Sequence, residues 1–437
     1  MGMKVAKFGG SSLADAKQFK KVKEILLMDP DRHYVVPSAP GKRFKDDEKV
    51  TDLLYKCYQA AEAGERVTPI FEKIYTRYMD IVNELGVDID MESLLKQTES
   101  EIIRVCTPDF AASRGEYLNG MLLAAYLGWD FIDPRECVKF DRQGVFASEW
   151  TNEIMSETLK KHAYAVIPGF YGSFPNGEVR TFSRGGSDIS GAIVARAAGA
   201  DLYENWTDVS GFLMADPRIV ENPREIRELT YKELRELSYM GATVLHEDSI
   251  FPVHKAGIPT NIKNTNDPAH PGTMILSEPS EENAGSTITG IAGHKNFTLI
   301  SIEKAMMNAE LGFGRRVLQA LEDFDVSFEH LPTGIDTMSV IIADAELKTR
   351  KNELVKRIHE LCHPDSIDVT EGIALIATVG HGMVRNPGTA AKLFSALSEA
   401  KVNIRMIDQG SSELNIIVGV DQNDFDKAVS AIYNAFN

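Results

Sequence analysis

The sequence predicts an α/β fold in which a sheet is covered by helices on both faces, followed by a pair of small α+β units. Three observations predict it. A short apolar strand, Val5 to Phe8, runs into Gly9-Gly10-Ser11-Ser12 just ahead of a helical pattern. Strand-like runs then alternate with helical patterns, which implies a sheet between helical layers. The last third carries an internal repeat with an offset of 76 residues. A chain of 437 residues suits two or three domains.

The elements follow in order. Residues 1–40 read strand, glycine turn, helix from Leu13, then a strand at His33–Val36 that ends in Pro37-Ser38-Ala39-Pro40-Gly41. Residues 42–50 (KRFKDDEKV) are a charged excursion and are expected to form a mobile loop. Thr51 to Leu127 is mostly helical, including Val105 to Leu127. Strand-like runs recur at Ala163–Ile167 and Leu202–Trp206. Gly185-Gly186-Ser187-Asp188 opens another helix, with Ser187 as the expected N-cap. Residues 264–290 shift to Asn, Pro, Gly, Ser and Thr, which reads as a domain edge. The expected division is 1–290, then 297–372 and 373–437, with interleaving of the last two left open.

In the repeat, Leu299 falls on Leu375, Gly312 on Gly388, Val326 on Val402, Gly334 on Gly410 and Val340 on Ile416. Each copy reads strand, glycine loop, helix, strand, turn, strand. Units of this size bury little surface alone and are expected to pack together.

Composition excludes several classes. There are 47 Lys and Arg against 64 Asp and Glu, a formal net charge of −17. Nucleic-acid and anionic-membrane partners need clustered basic residues, so neither is expected. No apolar run reaches transmembrane length, and no long apolar leader opens the chain. Four scattered cysteines without a Cys-x-x-Cys pair suit a reducing cytoplasm.

Four clusters carry chemistry. Glycines at a strand–helix junction let backbone N–H groups converge on an anion, and the following helix adds its positive end. Lys7, one residue before that strand ends, reaches the same anion. The order is not that of a Walker A loop, where the lysine follows the glycines. The second cluster is Thr181 to Asp188, where Arg184 can grip a carboxylate and Asp188 sits in a first helical turn. The third is Trp206-Thr207-Asp208-Val209 at a strand end, with Asp216-Pro217-Arg218 beyond it. Ligands bind at strand C-termini in such sheets. The fourth is Ser113-Arg114-Gly115-Glu116, read as lying just ahead of a helix.

The order KFGGSS, SAPG with Thr51, SRGE, SRGGSD, WTDV and ADPR resembles the aspartate kinases of the amino-acid-kinase family. The resemblance runs over essentially the whole chain. It includes Leu245-His246 and Ile258 to Thr265, and the repeat resembles paired ACT domains. It implies a three-layer αβα catalytic domain followed by two ferredoxin-like ACT domains. It implies transfer of the γ-phosphoryl of MgATP to the side-chain carboxylate of L-aspartate, the first step toward lysine, threonine and methionine. By the same resemblance Lys7 and Asp188 are catalytic, and Lys7, Gly9, Gly10 and Ser11 bind phosphate. Thr51, Glu116 and Arg184 hold the substrate. Thr207, Asp208, Leu213, Asp216, Arg218, Thr243 and Val244 match nucleotide positions. Feedback by an amino acid, lysine favoured over threonine, falls to the ACT repeat, with Met306, Gly312, Phe313 and Glu329 as effector residues. A homodimer or homotetramer through those domains is expected. ATP and Mg²⁺ are the implied cofactors, and no protein metal site is assigned.

The chain departs from the family pattern in two places. Leu213 stands where the family often has tyrosine, and Thr243 where it usually has lysine. Losing an aromatic stack and a cation predicts weaker nucleotide binding, by about 1 kcal/mol for the stack. Two rivals stand beside this reading: a kinase of another small carboxylate, and an amino-acid sensor with a degenerate kinase domain. His359-Glu360-Leu361-Cys362-His363 fits a zinc-protease pattern, but it ends a helix inside the repeat and has no third ligand downstream. It is read as a solvated helix end.

Overall fold

The structure, a computed structural model, describes residues 2–183, 185–242, 245, 247–280 and 287–437. The chain divides into two compact units. The first comprises residues 1–212, 227–231 and 243–278, and the second comprises 213–226, 232–242 and 279–437.

The first unit is built on an eight-stranded sheet. Its strand order is Glu228–Thr230, Thr273–Leu276, Thr260–Asn264, Leu202–Thr207, Lys4–Phe8, Arg32–Pro37, Ala165–Val166 and Asp130–Phe131. The six strands from Thr260–Asn264 onward run parallel, and the first two oppose them. The central strand Lys4–Phe8 pairs on both edges, with Lys7 opposite Asn205 and Val36. Side chains alternate across a strand. Ala6 and Phe8 therefore face one layer, where Phe8 stacks on Trp206 at 5.8 Å and joins a core with Phe19, Phe71 and Tyr78. Lys7 and Asn205 face the other layer. That layer holds the helix Gly186–Ala198, whose Gly191 backbone lies against the Tyr203 ring.

Two boundaries differ from the sequence reading. The first helix starts at Ala16, not Leu13. Residues Gly10–Leu13 form a single 3₁₀ turn, and the Asp15 side chain accepts from the Gln18 N–H to cap the helix proper. The stretch from Val105 to Leu127 is not one helix. Cys106 turns left-handed at φ 47°, and Thr107 then caps a new helix, Pro108–Leu127. Ser113 to Glu116 consequently lie inside that helix rather than ahead of it, and a Pro at its first position made the true start legible.

The second unit is a five-stranded antiparallel sheet in the order Thr337–Ala343, Gly290–Glu303, Ser366–Val379, Asn415–Asp421 and Ile404–Asp408. Gly290–Glu303 and Ser366–Val379 are the same strand of the two repeats, offset by the same 76 residues as the sequence. They pair with each other at the centre, so the two copies share one sheet. The repeat helices Phe313–Glu322 and Thr389–Glu399 begin alike. Gly312 at φ 80° and Gly388 at φ 91° hold the N-cap positions in a conformation that side-chain-bearing residues avoid.

Two segments that the sequence reading placed within 1–290 pack in this unit. Ile291 donates to the Met214 carbonyl, and the Arg224 N–H donates to the Tyr433 hydroxyl. Glu233 accepts from the Thr289 hydroxyl at 2.6 Å and the His381 N–H at 2.7 Å. No apolar run announces these polar ties. Among the described residues no helix is long and apolar enough to cross a membrane.

Candidate active site

Lys7 is the centre of the first unit's polar chemistry. It is buried, and its Nζ lies 2.5 Å from Asp188 Oδ1 and 3.4 Å from Asn205 Oδ1. Asn205 Nδ2 in turn donates to Asp188 Oδ1 at 2.8 Å. The sheet register brings Lys7 and Asn205 side by side, and Asp188 comes down from the first turn of Gly186–Ala198. Three polar groups from three elements thus converge at the C-terminal ends of two parallel strands. The sequence reading named Lys7 and Asp188. It missed Asn205, whose signal was its place two residues before the Thr207-Asp208 strand end.

The glycine turn follows directly. The Gly9 N–H donates to the Trp206 carbonyl, and Ser12 shares a 2.8 Å hydrogen bond with Thr265. Gly10 touches the segment after the second strand. A Cβ there would meet the Ala39 carbonyl at 2.9 Å, and the Gly41 N–H donates to the Gly10 carbonyl at 2.8 Å. Only glycine permits that approach. Thr207 and Asp208 close the neighbouring strand end, with the Thr207 hydroxyl 3.2 Å from Asp208 Oδ1.

Glu116 lies on Pro108–Leu127 and is buried. Burial pushes its carboxyl up to about 7, against the pull of the Ala39 backbone, the Ser187 hydroxyl and Arg114. Oε1 faces Ser187 Oγ at 3.5 Å, while Oε2 has no hydrogen-bond partner. A buried carboxylate with an unused oxygen is suited to a cationic ligand. Ser187 is not the cap of its helix: Gly185, left-handed at φ 74°, takes that position and frees the Ser187 hydroxyl to face Glu116. Thr51 lies in the first turn of Val50–Glu62. Arg114 is enclosed by the rings of Phe110, Tyr117 and Tyr171 at 4.4 to 5.5 Å, which shields its charge without a carboxylate. Phe170 is the residue that sequence reasoning had no means to find. It adopts φ 78°, donates its N–H to Ser190 Oγ and lies against Gly186. A left-handed aromatic residue is strained, and such strain clusters at functional sites. Arg184, Thr243 and Val244 lie outside the described residues.

In the second unit, Leu213 is partly exposed on a short strand, and Asp216 and Arg218 form an ion pair at 2.6 Å. The hydrogen bond from Arg218 holds the Asp216 carboxyl below its ordinary value. Of the effector candidates, Met306 is 72% exposed beside Leu311 at 95%. Phe313 is instead buried in the core with Ile300, Val317 and Val340. Glu329 accepts a hydrogen bond from the Tyr239 hydroxyl. His359 lies in the last turn of Lys351–Cys362, and His363 is its left-handed cap at φ 47°. Among the described residues no group of three or more His, Cys, Asp or Glu is placed to hold a metal ion.

The chain with this fold matches known proteins along its whole length. The model of the amino acid kinase family matches residues 2–264, and an ACT domain model matches 376–436. Aspartokinase 3 of Bacillus subtilis is 40% identical, with 99% of this chain and 98% of that protein covered. The crystal structure of an aspartate kinase from Clostridium acetobutylicum, described as allosteric, superimposes with a TM-score of 0.94 at 55% identity over all of both chains. Aspartokinase III of E. coli, solved with lysine and aspartate, gives a TM-score of 0.77 at 25% identity over 99% of each chain. The chain belongs to the amino acid kinase family and, within it, to the aspartokinases.

Proposed function

We propose that this chain transfers the γ-phosphoryl group of ATP to the side-chain carboxylate of L-aspartate, giving 4-phospho-L-aspartate. The observation that carries the reading is the Lys7–Asp188–Asn205 cluster beside the glycine turn. A carboxylate has a pKa of about 4 and is already ionised at neutral pH. The reaction needs no general base. It needs an anionic nucleophile brought to an anionic phosphate, which calls for positioning and positive charge. Lys7 and the Gly10 and Ser11 amides supply that charge where it develops, the Gly9 N–H being bound to the Trp206 carbonyl. Asp188 and Asn205 hold the Lys7 ammonium in place, so Asp188 organises the cation rather than accepting a proton.

Glu116 takes the substrate ammonium, which answers its unused buried oxygen, with Thr51 and Arg184 completing the substrate site. Thr207 and Asp208 contribute to nucleotide binding. Mg²⁺ is usually held by phosphates and one or two carboxylates rather than by a protein cage. Asp188, in the Lys7 cluster, would supply one such carboxylate. The ion would neutralise phosphate charge.

The regulatory half of the proposal assigns 297–372 and 373–437 to two ACT domains sharing one sheet. The segments 213–226 and 232–242 within 1–290 pack with them. These domains bind an amino-acid effector, lysine in preference to threonine, with Met306, the Gly312 turn and Glu329 at the site. The E. coli relative solved with lysine supports this choice. The protein assembles as a homodimer or homotetramer through these domains and works in the cytoplasm, toward lysine, threonine and methionine.

The test is ADP release with L-aspartate, L-glutamate, acetate or N-acetylglutamate as acceptor. Release with aspartate alone is expected. Release with another acceptor would move the substrate assignment, and no release would leave an amino-acid sensor.

A further inference from the structure

Arg77 is a buried cation of the first unit outside the Lys7 cluster. It projects from the helix Thr68–Leu85 and is 5% exposed. Its Nη1 donates to the Gly41 carbonyl at 3.0 Å, and its Nη2 donates to Asp47 Oδ2 at 2.6 Å and to the Glu48 carbonyl at 3.4 Å. A longer contact from Nη1 reaches the Ala14 carbonyl at 3.5 Å. One guanidinium therefore ties the charged loop 42–50 at Asp47 and Glu48, the segment before it at Gly41, and the turn after the first strand at Ala14. Its Nε has no partner, so the side chain is placed to serve these acceptors and no others.

Elsewhere the loop is held by ion pairs nearer the surface, Glu48 with Lys56 at 2.5 Å and with Lys73 at 2.6 Å. A cavity of about 440 Å³ lies beneath it, lined by Arg43, Asp47, Glu48, Lys73, Thr76 and Arg77 among others. Arg43 grips the same Asp47 from the outer side, with Nε 2.9 Å from Oδ2 and Nη2 3.1 Å from Oδ1. That pair holds the Asp47 carboxyl well below the usual carboxylate range. Asp47 is thus held as the carboxylate that both arginines bind. The charged excursion that the sequence presents as a mobile loop is anchored.

The anchor points at the glycine turn. Gly41, whose carbonyl Arg77 holds, donates its own N–H to the Gly10 carbonyl at 2.8 Å. The approach is so close that a Cβ on Gly41 would sit 2.6 Å from the Gly10 carbonyl carbon. Any shift of Gly41 must shift Gly10. We propose that Arg77 is a positioning residue for phosphoryl transfer: by holding the Gly41 carbonyl and the Asp47 carboxylate together, it fixes the aim of the Gly10 and Ser11 amides. The inference rests on the reading that these amides receive the nucleotide phosphates. A lysine cannot replace the arginine, because a point charge cannot reproduce the planar fork that serves two separate acceptors.

The other end of the segment is tied independently. The Ser38 N–H donates to the Phe8 carbonyl at 3.0 Å, and Asn119 Nδ2 donates to the Ser38 carbonyl at 2.6 Å. Disturbing Arg77 should therefore reach the phosphate side before the Glu116 side.

The experiment measures kcat and both KM values on full-length Arg77→Lys and Asp47→Asn, with Arg43→Ala as the exposed control and thermal melting to establish folding. Arg77→Lys is expected to raise KM for ATP about tenfold and lower kcat, with KM for aspartate changed less than threefold. Asp47→Asn should do the same to a smaller degree, and Arg43→Ala should change KM for ATP less than threefold. Should Arg77→Lys fail to fold, Asp47→Asn carries the test. Wild-type kinetic constants in a folded but less stable variant would overturn the proposal, as would equal rises in both KM values. Lys7→Ala assayed alongside separates the two levels. If it keeps turnover, the phosphate reading itself fails. If it is inactive while Arg77→Lys is normal, only the positioning role fails.

Discussion

The two units use the same local device, a strand that runs through glycine into a helix, and surround it differently. In the first unit the Gly9–Gly10 and Gly185–Gly186 turns sit among buried charged groups: Lys7, Glu116, Asp47 and Arg77 are each less than a tenth exposed. In the second unit the Gly312 and Gly388 turns precede amphipathic helices that seat Phe313, Val317, Leu393 and Leu397 in the core. Met306 and Leu311, just ahead of Gly312, face solvent. Backbone geometry makes a turn able to bind, but the neighbours decide what it binds. Buried charge costs free energy unless it is paired or used. Its concentration around one pair of turns suits the proposed anionic chemistry, whereas the charges beside the Gly312 turn, Lys304, Glu310 and Arg316, are only partly buried.

This comparison can be broken most severely at Lys7. Lys7→Ala should reduce phosphoryl transfer at least ~10³-fold. Effector binding, measured by calorimetry, should be unchanged. Surviving turnover would mean that the buried cation is structural.

Glu116 gives the next largest effect. Glu116→Gln should raise KM for aspartate about a hundredfold by removing the charge opposite the substrate ammonium. The wild-type residue also predicts a pH dependence. Its folded carboxyl lies at about 7, above its ordinary value, so the folded state binds more protons than the unfolded state between those two pH values. Stability conferred by the protonated form is lost as pH rises through that window, by on the order of 3 kcal/mol. Conversely, KM for aspartate should fall as pH rises through 7, because the ionised form is the one that binds. Glu116→Gln should flatten both profiles, and a KM profile unchanged in that variant would remove Glu116 from the substrate site.

In the second unit the expected effects are smaller. Glu329→Gln should raise the lysine concentration for half-inhibition about tenfold while leaving uninhibited turnover alone. An unchanged inhibition curve would mean that Glu329 serves only its hydrogen bond with Tyr239. Gly388→Ala gives the mildest change. Space around Gly388 is open, so only the left-handed φ of 91° opposes a side chain. The cost should be about 1–2 kcal/mol in denaturant melts, with turnover retained. Lost turnover would show that this turn does more than start a helix.

The sequence disclosed what depends on local pattern. Alternation of strand and helix, the two glycine turns and the 76-residue repeat each have a local signature, and the central strands fall at the same offset. Lys7 and Asp188 were legible because each lies within a few residues of a glycine pair. Asn205 and Phe170 were not, because one acts through sheet register and the other through backbone strain. Arg77 lies on an ordinary amphipathic helix, and only the fold brings it to Gly41 and Asp47. The segments 213–226 and 232–242 were misplaced for a similar reason: their partners, such as Tyr433 for Arg224 and Gly290 for Ile226 and Leu237, lie far along the chain, and only the fold brings them together. Ser187 misled because serine favours N-caps, but a left-handed glycine held that position and freed the hydroxyl.

The central claim is that the buried charge of the first unit activates a carboxylate and that the second unit senses an amino acid. Hydroxylamine trapping of the acyl phosphate on the intact protein tests both most directly, with aspartate as acceptor and with lysine or threonine added in turn. The account predicts a hydroxamate that forms from aspartate and ATP and is suppressed by lysine more than by threonine. No hydroxamate from aspartate, or one formed equally from glutamate and indifferent to both amino acids, would contradict it.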